Sequence, residues 1–267
     1  MGQKIGFIGF GNMAGAIATG ILKSGLADTK DILAADIRGT ENPKGKELGI
    51  SVSSENKQVA VESDVLILSV KPNILAEVAE EIRGSISTDT ILISIVAGQT
   101  LEGLSKLFGE EKKIILTMPN TPALVGEGMT AYCPGKNIGE DEESQAVRLL
   151  QSFGKAIKVE EKWMPAVVAA SGSSPAYVYM FIEALADAAV AMGMPRSLAY
   201  EFSAQAVMGS GKMVLESGLH PGALKDMVCS PGGTTIQAVK VLEEKGFRAA
   251  IIDGAIAAAE KNIEMQK

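Results

Sequence analysis

The residues Gly9-Phe10-Gly11-Asn12-Met13-Ala14 follow a short apolar run, Lys4–Ile8, and precede a stretch with helical spacing, Ala14–Ser24. A strand, a glycine turn and a helix in that order suit a pyrophosphate. Gly9 permits the tight turn, Gly11 lets the backbone approach the phosphates, and Ala14 stands where a small residue allows close helix–strand packing. The helix that follows offers free N–H groups and the positive end of its dipole. The turn therefore predicts a nicotinamide dinucleotide held by Gly9, Phe10, Gly11, Asn12 and Met13.

Other polar groups are expected around the same ligand. Asp36 ends the second apolar run, where a carboxylate accepts the ribose hydroxyls of NAD(H) and repels a 2′-phosphate. Arg38, with Lys44 and Lys46 nearby, could instead bind that phosphate or form a solvated loop. These residues leave NAD(H) and NADP(H) both open. Val70-Lys71-Pro72, Ala97-Gly98 and Met118–Pro122, which includes Asn120, each follow an expected strand. Ligands of open α/β sheets bind beyond the carboxyl ends of strands, so these loops should line the nicotinamide side.

A second candidate anion site lies far along the chain, in Cys229-Ser230-Pro231-Gly232-Gly233-Thr234-Thr235. Small residues, hydroxyls and a helix start suit an anion. The same residue types also suit an ordinary capped loop between helices. Ser171-Gly172-Ser173-Ser174-Pro175 interrupts a helical stretch in the same half. His220, the single histidine, reads as a loop residue. Cys229 reads as a small buried residue, and Lys225 and Asp226 as a structural pair. The two cysteines, Cys133 and Cys229, lack metal-ligand spacing, so no metal site is expected.

These groups need elements to position them. Val65–Val70, Ile91–Val96 and Ile114–Met118 are nearly continuous runs of the kind buried on both faces of a parallel sheet. Asn73–Ile82 has amphipathic helical spacing, Glu140–Phe153 reads as a surface helix, and Met129–Cys133 and Ile157–Val159 as edge strands. The pattern changes near Glu160–Pro165. Beyond it only helical stretches follow, over Val167–Met192, Pro195–Glu216, Pro221–Met227, Gly232–Glu244 and Phe247–Met265. The expectation is an α/β Rossmann-type N-terminal domain with a mainly parallel sheet over residues 1–162. An all-α oligomerisation domain, which also binds substrate, is expected over 163–267.

A net charge of −7 excludes a sequence-independent nucleic-acid binder and disfavours an anionic membrane surface. The first apolar stretch is too short for a signal segment, and a cytoplasmic protein is expected. Ala176–Met192 is apolar nearly all round but carries Glu183 and Asp187, which suits a core helix better than a membrane span. So apolar a helix, in a domain of only about a hundred residues, needs cover from a second subunit. A homo-oligomer is expected.

Ser171–Tyr177 (SGSSPAY), His220–Asp226 (HPGALKD) and Ser230–Thr235 (SPGGTT) together resemble pyrroline-5-carboxylate reductases, as do Ile5–Met13, Val70–Pro72 and Met118–Pro122. The resemblance runs from about residue 3 to about residue 265. It implies reduction of 1-pyrroline-5-carboxylate to L-proline with NAD(P)H. By that resemblance Ser230, Gly232, Gly233 and Thr234 hold the substrate carboxylate, Thr235 meets the ring nitrogen, and Glu161 also lies near the substrate. Asn56 would contact the adenosine end of the cofactor. NADP(H) is favoured, while Asp36 departs from relatives that prefer NADPH and keeps NAD(H) open. The resemblance also implies dimers, often grouped into decamers. A second pattern, Gly209-Ser210-Gly211-Lys212, is similar to the lysine motif of β-hydroxyacid dehydrogenases but lacks its downstream asparagine. A dinucleotide-sensing protein without catalysis is the third reading.

Overall fold

The computed structural model describes residues 2–266. The apolar runs form β1 (Ile5–Ile8), β2 (Ile32–Ala35), β3 (Val52–Ser53), β4 (Val65–Leu68), β5 (Ile91–Ser94), β6 (Lys113–Met118), β7 (Gly128–Pro134) and β8 (Gly154–Lys158). They make one sheet in the order β3-β2-β1-β4-β5-β6-β7-β8. Strands β1 to β6 are parallel, β7 runs antiparallel to β6, and β8 runs parallel to β7. Sequential strands run outward on both sides of β1, so the order reverses between β1 and β4. That crevice is where open α/β sheets bind ligands.

Alternation along the strands feeds two cores. Ile5, Phe7, Val65, Ile67, Ile91 and Ile93 pack on one face, with α1 (Asn12–Lys23) and, further along the chain, the helix Glu140–Gln151. On the other face Ile8, Leu66, Leu68 and Leu92 meet the short helices that connect the strands. In chain order the helices after α1 are α2 (Pro43–Leu48), α3 (Asn56–Glu62), α4 (Leu75–Ile82), α5 (Leu101–Phe108) and α6 (Glu140–Gln151). Helices α2, α3 and α5 and strand β3 are absent from the sequence expectations. Each is eight residues or fewer, too short for periodicity to show. The last strand also begins earlier than expected, at Gly154 and not Ile157.

No strand follows β8 among the described residues. The chain continues through α7 (Met164–Val167), a π-helical turn at Val168–Gly172, α8 (Ser174–Ala191), α9 (Arg196–Ser217), α10 (Pro221–Val228), α11 (Thr234–Glu244) and α12 (Phe247–Glu264). The expected interruption at 171–175 falls where this widened turn ends and α8 begins. Pro175 sits in the first turn of α8, where its missing N–H costs little. Two compact units result, one of residues up to 172 together with those from 258, the other of 173–257. They part at residue 172, beyond the change of sequence pattern, because Met164 and Val168 are buried and Met164 joins the sheet's second core.

The two units differ in their cores. The first holds both apolar clusters. In 173–257 the buried residues are Pro175, Ala186, Ala199 and Ser203 alone, while Met180, Phe202, Met208, Leu215 and Ile252 are exposed. Among the described residues no helix is long and apolar enough to cross a membrane.

Candidate functional site

The glycine turn connects β1 to α1 at the sheet's reversal point. Gly9 has φ +84°, and a Cβ there would stand 2.6 Å from the Ser69 carbonyl oxygen. Only glycine meets both demands. Its N–H donates to the Ala35 carbonyl at 2.8 Å, which ties the turn to the end of β2. Gly11 is the N-cap of α1, and no side chain caps that helix. A Cβ on Gly11 would meet nothing within 4 Å, so open space lies against an uncapped helix start. Backbone N–H groups and room in front of them are what a pyrophosphate needs, and the turn fits a dinucleotide.

The structure joins Asp36 and Arg38, which the sequence presented as alternatives. The Arg38 Nε donates to Asp36 at 2.8 Å, and the backbone N–H groups of Phe10 and Arg38 donate to the same carboxylate at 3.0 and 3.1 Å. Burial by itself would raise the Asp36 pKa. The Arg38 guanidinium and the two N–H groups outweigh it and hold the carboxyl at about 2. Asp36 is therefore an ionised clasp on the turn, and Arg38 stands exposed beside it. Lys44 and Lys46 are engaged elsewhere, with Glu47 and Glu41.

Because β1 to β6 are parallel, the remaining loops gather on one edge of the sheet. Val70, Lys71 and Pro72 follow β4, Ala97 and Gly98 follow β5, and Asn120 follows β6. Lys71 and Pro72 are exposed, and Gly98 is buried with Met265 packed against it. Asn120 is buried, and its amide is engaged within the protein. Its Oδ1 accepts from Met129 N–H at 2.8 Å, and its Nδ2 donates to the Ser171 carbonyl and hydroxyl at 3.2 Å. It links the strand end to the SGSSPAY segment. Asn56 opens α3 and donates to Glu81 at 2.8 Å. Glu161 accepts the Leu101 N–H at 2.7 Å and borders a cavity of about 370 Å³ with Gln99, Thr100 and Met164.

Within the second unit, Ser230–Thr235 forms the start of α11. The Gly233 N–H donates to the Ser230 carbonyl at 3.0 Å, with Pro231 and Gly232 between them and Gly232 at φ +70°. A left-handed glycine third is what a type II turn requires, and proline second is common there. Gly233 is the N-cap of α11, no side chain caps that helix, and Thr234 and Thr235 open it. A Cβ on Gly233 would overlap the Ser230 hydroxyl. The segment is a loop between α10 and α11 whose helix start carries no side-chain cap. His220 instead caps α10, its Nδ1 accepting the Gly222 N–H at 3.0 Å. Lys225 pairs with Asp226, and Lys212 lies mid-helix on α9, 3.6 Å from Glu216. Among the described residues no group of His, Cys, Asp or Glu is arranged to hold a metal ion.

One residue that matters escaped sequence reasoning. Asn42 is fully buried, its Nδ2 donates to the Phe10 carbonyl at 2.9 Å, and its Oδ1 accepts from Lys44 and Gly45 N–H. The one available signal was Asn-Pro ahead of a short polar helix, a common N-cap.

A mainly parallel sheet, its reversal at β1 and the glycine turn there define a Rossmann-type protein, followed by a helical region. Comparison with known proteins sharpens that class. Residues 161–265 match the family model described as pyrroline-5-carboxylate reductase dimerisation, and residues 4–98 match the one described as NADP oxidoreductase, coenzyme F420-dependent. The chain is 48% identical to the pyrroline-5-carboxylate reductase of Escherichia coli (strain K12), over the whole of both chains. It is 42% identical to that of Methanosarcina acetivorans, with 99% of this chain and 98% of the relative covered. The crystal structure of Plasmodium falciparum pyrroline carboxylate reductase with NADP bound superposes with a TM-score of 0.92 at 34% identity, covering 99% and 98% of the two chains. The chain belongs to the pyrroline-5-carboxylate reductase family.

Proposed function

We propose that this chain reduces 1-pyrroline-5-carboxylate to L-proline, the last step of proline synthesis, with NADPH as the preferred donor. The observation that carries the reading is the Ser230–Thr235 turn, a left-handed glycine and an uncapped helix start with the makings of a carboxylate cradle. Gly232 and Thr234 would bind the substrate carboxylate through backbone N–H groups, in a turn that the Gly233 N–H closes onto the Ser230 carbonyl, with the Ser230 hydroxyl beside them. The Thr235 hydroxyl would orient the ring nitrogen, and Glu161 would lie near the substrate. The dinucleotide would be held by the turn at residues 9–13, in which buried Phe10 is a fixed support and not a donor, by Arg38 and Asn56, and by the strand-end loops at 70–72, 97–98 and 120. When bound, the reduced nicotinamide supplies the hydride that adds to the C=N carbon.

The chemistry suits the side chains present. An imine that arrives protonated leaves as an amine once hydride is added, with no alkoxide to protonate. No histidine or lysine general acid is then obligatory. What the chain must do is position the carbon and nitrogen, which backbone cradles and one hydroxyl can accomplish. In functional terms residues 1–162 would serve the dinucleotide, and 163–267 the substrate and self-association.

The thin core of 173–257 supports a homo-oligomer, since that unit leaves its large apolar side chains uncovered. We read the basic assembly as a homodimer, grouped further into a decamer, and the compartment as the cytoplasm. Cys133 and Cys229 are both free thiols, as suits a reducing compartment. The test of the activity is oxidation of NADPH and NADH with pyrroline-5-carboxylate, beside a panel of 3-hydroxy acids. Turnover with the cyclic imine is expected. Turnover with hydroxy acids alone would overturn the reading, and no turnover with either would favour a sensor.

A further inference from the structure

We propose that Asn42 is a positioning residue for the dinucleotide turn, which it clamps together with Asp36. This rests on the reading that residues 9–13 hold the dinucleotide. Phe10 is gripped at both of its backbone polar groups. Its N–H donates to Asp36 at 3.0 Å, and its carbonyl accepts from the Asn42 Nδ2 at 2.9 Å. The orientation of the Asn42 amide follows from its partners, because its oxygen accepts two backbone N–H groups, of Lys44 and Gly45, at 3.0 Å. One buried side chain therefore caps α2 and fixes the turn.

The consequence lies in the next peptide. In a trans peptide the carbonyl and the following N–H point to opposite sides. Drawing the Phe10 carbonyl toward buried Asn42 turns the Gly11 N–H away from it. Gly11 is the N-cap of α1 and faces open space, so the clamp sets the direction of a donor at the helix start. The Phe10 N–H is meanwhile committed to Asp36 and is not available to the ligand. A turn fixed in advance binds an anion without first having to order itself.

Two variants isolate the clamp. Asn42→Asp and Asn42→Ser both keep a good N-cap for α2; the first replaces the Nδ2 donor by a carboxylate oxygen, and the second leaves a hydroxyl one bond too short to reach the Phe10 carbonyl as Nδ2 does. NADPH binding is read directly by titration without substrate, followed by steady-state kinetics and thermal unfolding of the full chain. Leaving a buried carbonyl unpaired should weaken NADPH binding on the order of tenfold. KM for NADPH should rise with it, while kcat at saturating NADPH and KM for the imine stay at the wild-type values. Unchanged NADPH affinity in a folded variant would overturn the proposal. So would a fall in kcat without a change in binding, or loss of cooperative unfolding in both variants, which would make Asn42 a stability residue only. A wild type that binds NADPH but does not reduce the imine would sink the proposed reaction and leave the clamp standing.

Discussion

The backbone N–H of Phe10 donates to the Asp36 carboxylate at 3.0 Å, and so fastens the turn after β1 to the residue that follows β2. The same carboxylate carries Arg38. An acidic residue at the end of β2 suggests a ribose acceptor when read from sequence. Here it serves the protein's own backbone first.

That relationship has a pH signature. The Asp36 carboxyl is held at about 2, below its ordinary value of 3.8. A depressed carboxylate stabilises the fold above its unfolded pKa, and the contribution is lost as pH falls through the folded value. The shift corresponds to about 2 kcal/mol, to be lost between about pH 4 and pH 2. Asp36→Asn should flatten that part of the stability curve, measured by urea unfolding across the acid range. A variant with the wild-type slope would show that the clasp contributes nothing.

Gly9→Ala tests the turn itself. The new Cβ would stand 2.6 Å from the Ser69 carbonyl oxygen at a backbone angle that disfavours alanine. Strain and overpacking together predict a loss of about 3 kcal/mol, with weakened NADPH binding. Thermal unfolding and a binding titration check both parts.

Replacing Thr235 by Ala should lower kcat about tenfold, the loss of one orienting hydrogen bond. Thr235 lies in the first turn of α11, and NADPH affinity and melting temperature should not change. Wild-type turnover in the variant would remove Thr235 from the mechanism.

The substrate cradle makes a separate prediction. Gly233→Ala would force the Ser230 hydroxyl aside. KM for pyrroline-5-carboxylate should rise on the order of tenfold through loss of one charge-assisted contact, with KM for NADPH unaffected. Equal effects on both constants would point to a general disturbance of the fold.

Self-association is tested on the uncovered apolar surface. Phe202 on α9 is exposed within the single chain. Phe202→Glu should shift the sedimenting species toward the monomer mass and lower the melting temperature. An unchanged mass would place the subunit contact elsewhere.

The sequence by itself determined the chemistry-bearing segments and the class of fold. The glycine turn, the buried parallel strands and the SPGGTT segment are local patterns, each set by backbone sterics or by burial on both faces of a sheet. The short elements α2, α3, α5 and β3 left no such pattern, and packing against the sheet defines them. Only the tertiary structure decided what the polar side chains do. Asp36 bonds a backbone group 26 residues earlier, Asn42 one 32 residues earlier, and Asn120 one 51 residues later. Periodicity reports which face of an element is buried. It carries no information about which distant peptide lies within hydrogen-bonding reach, because chain crossings between β1, β2 and β6 set those distances.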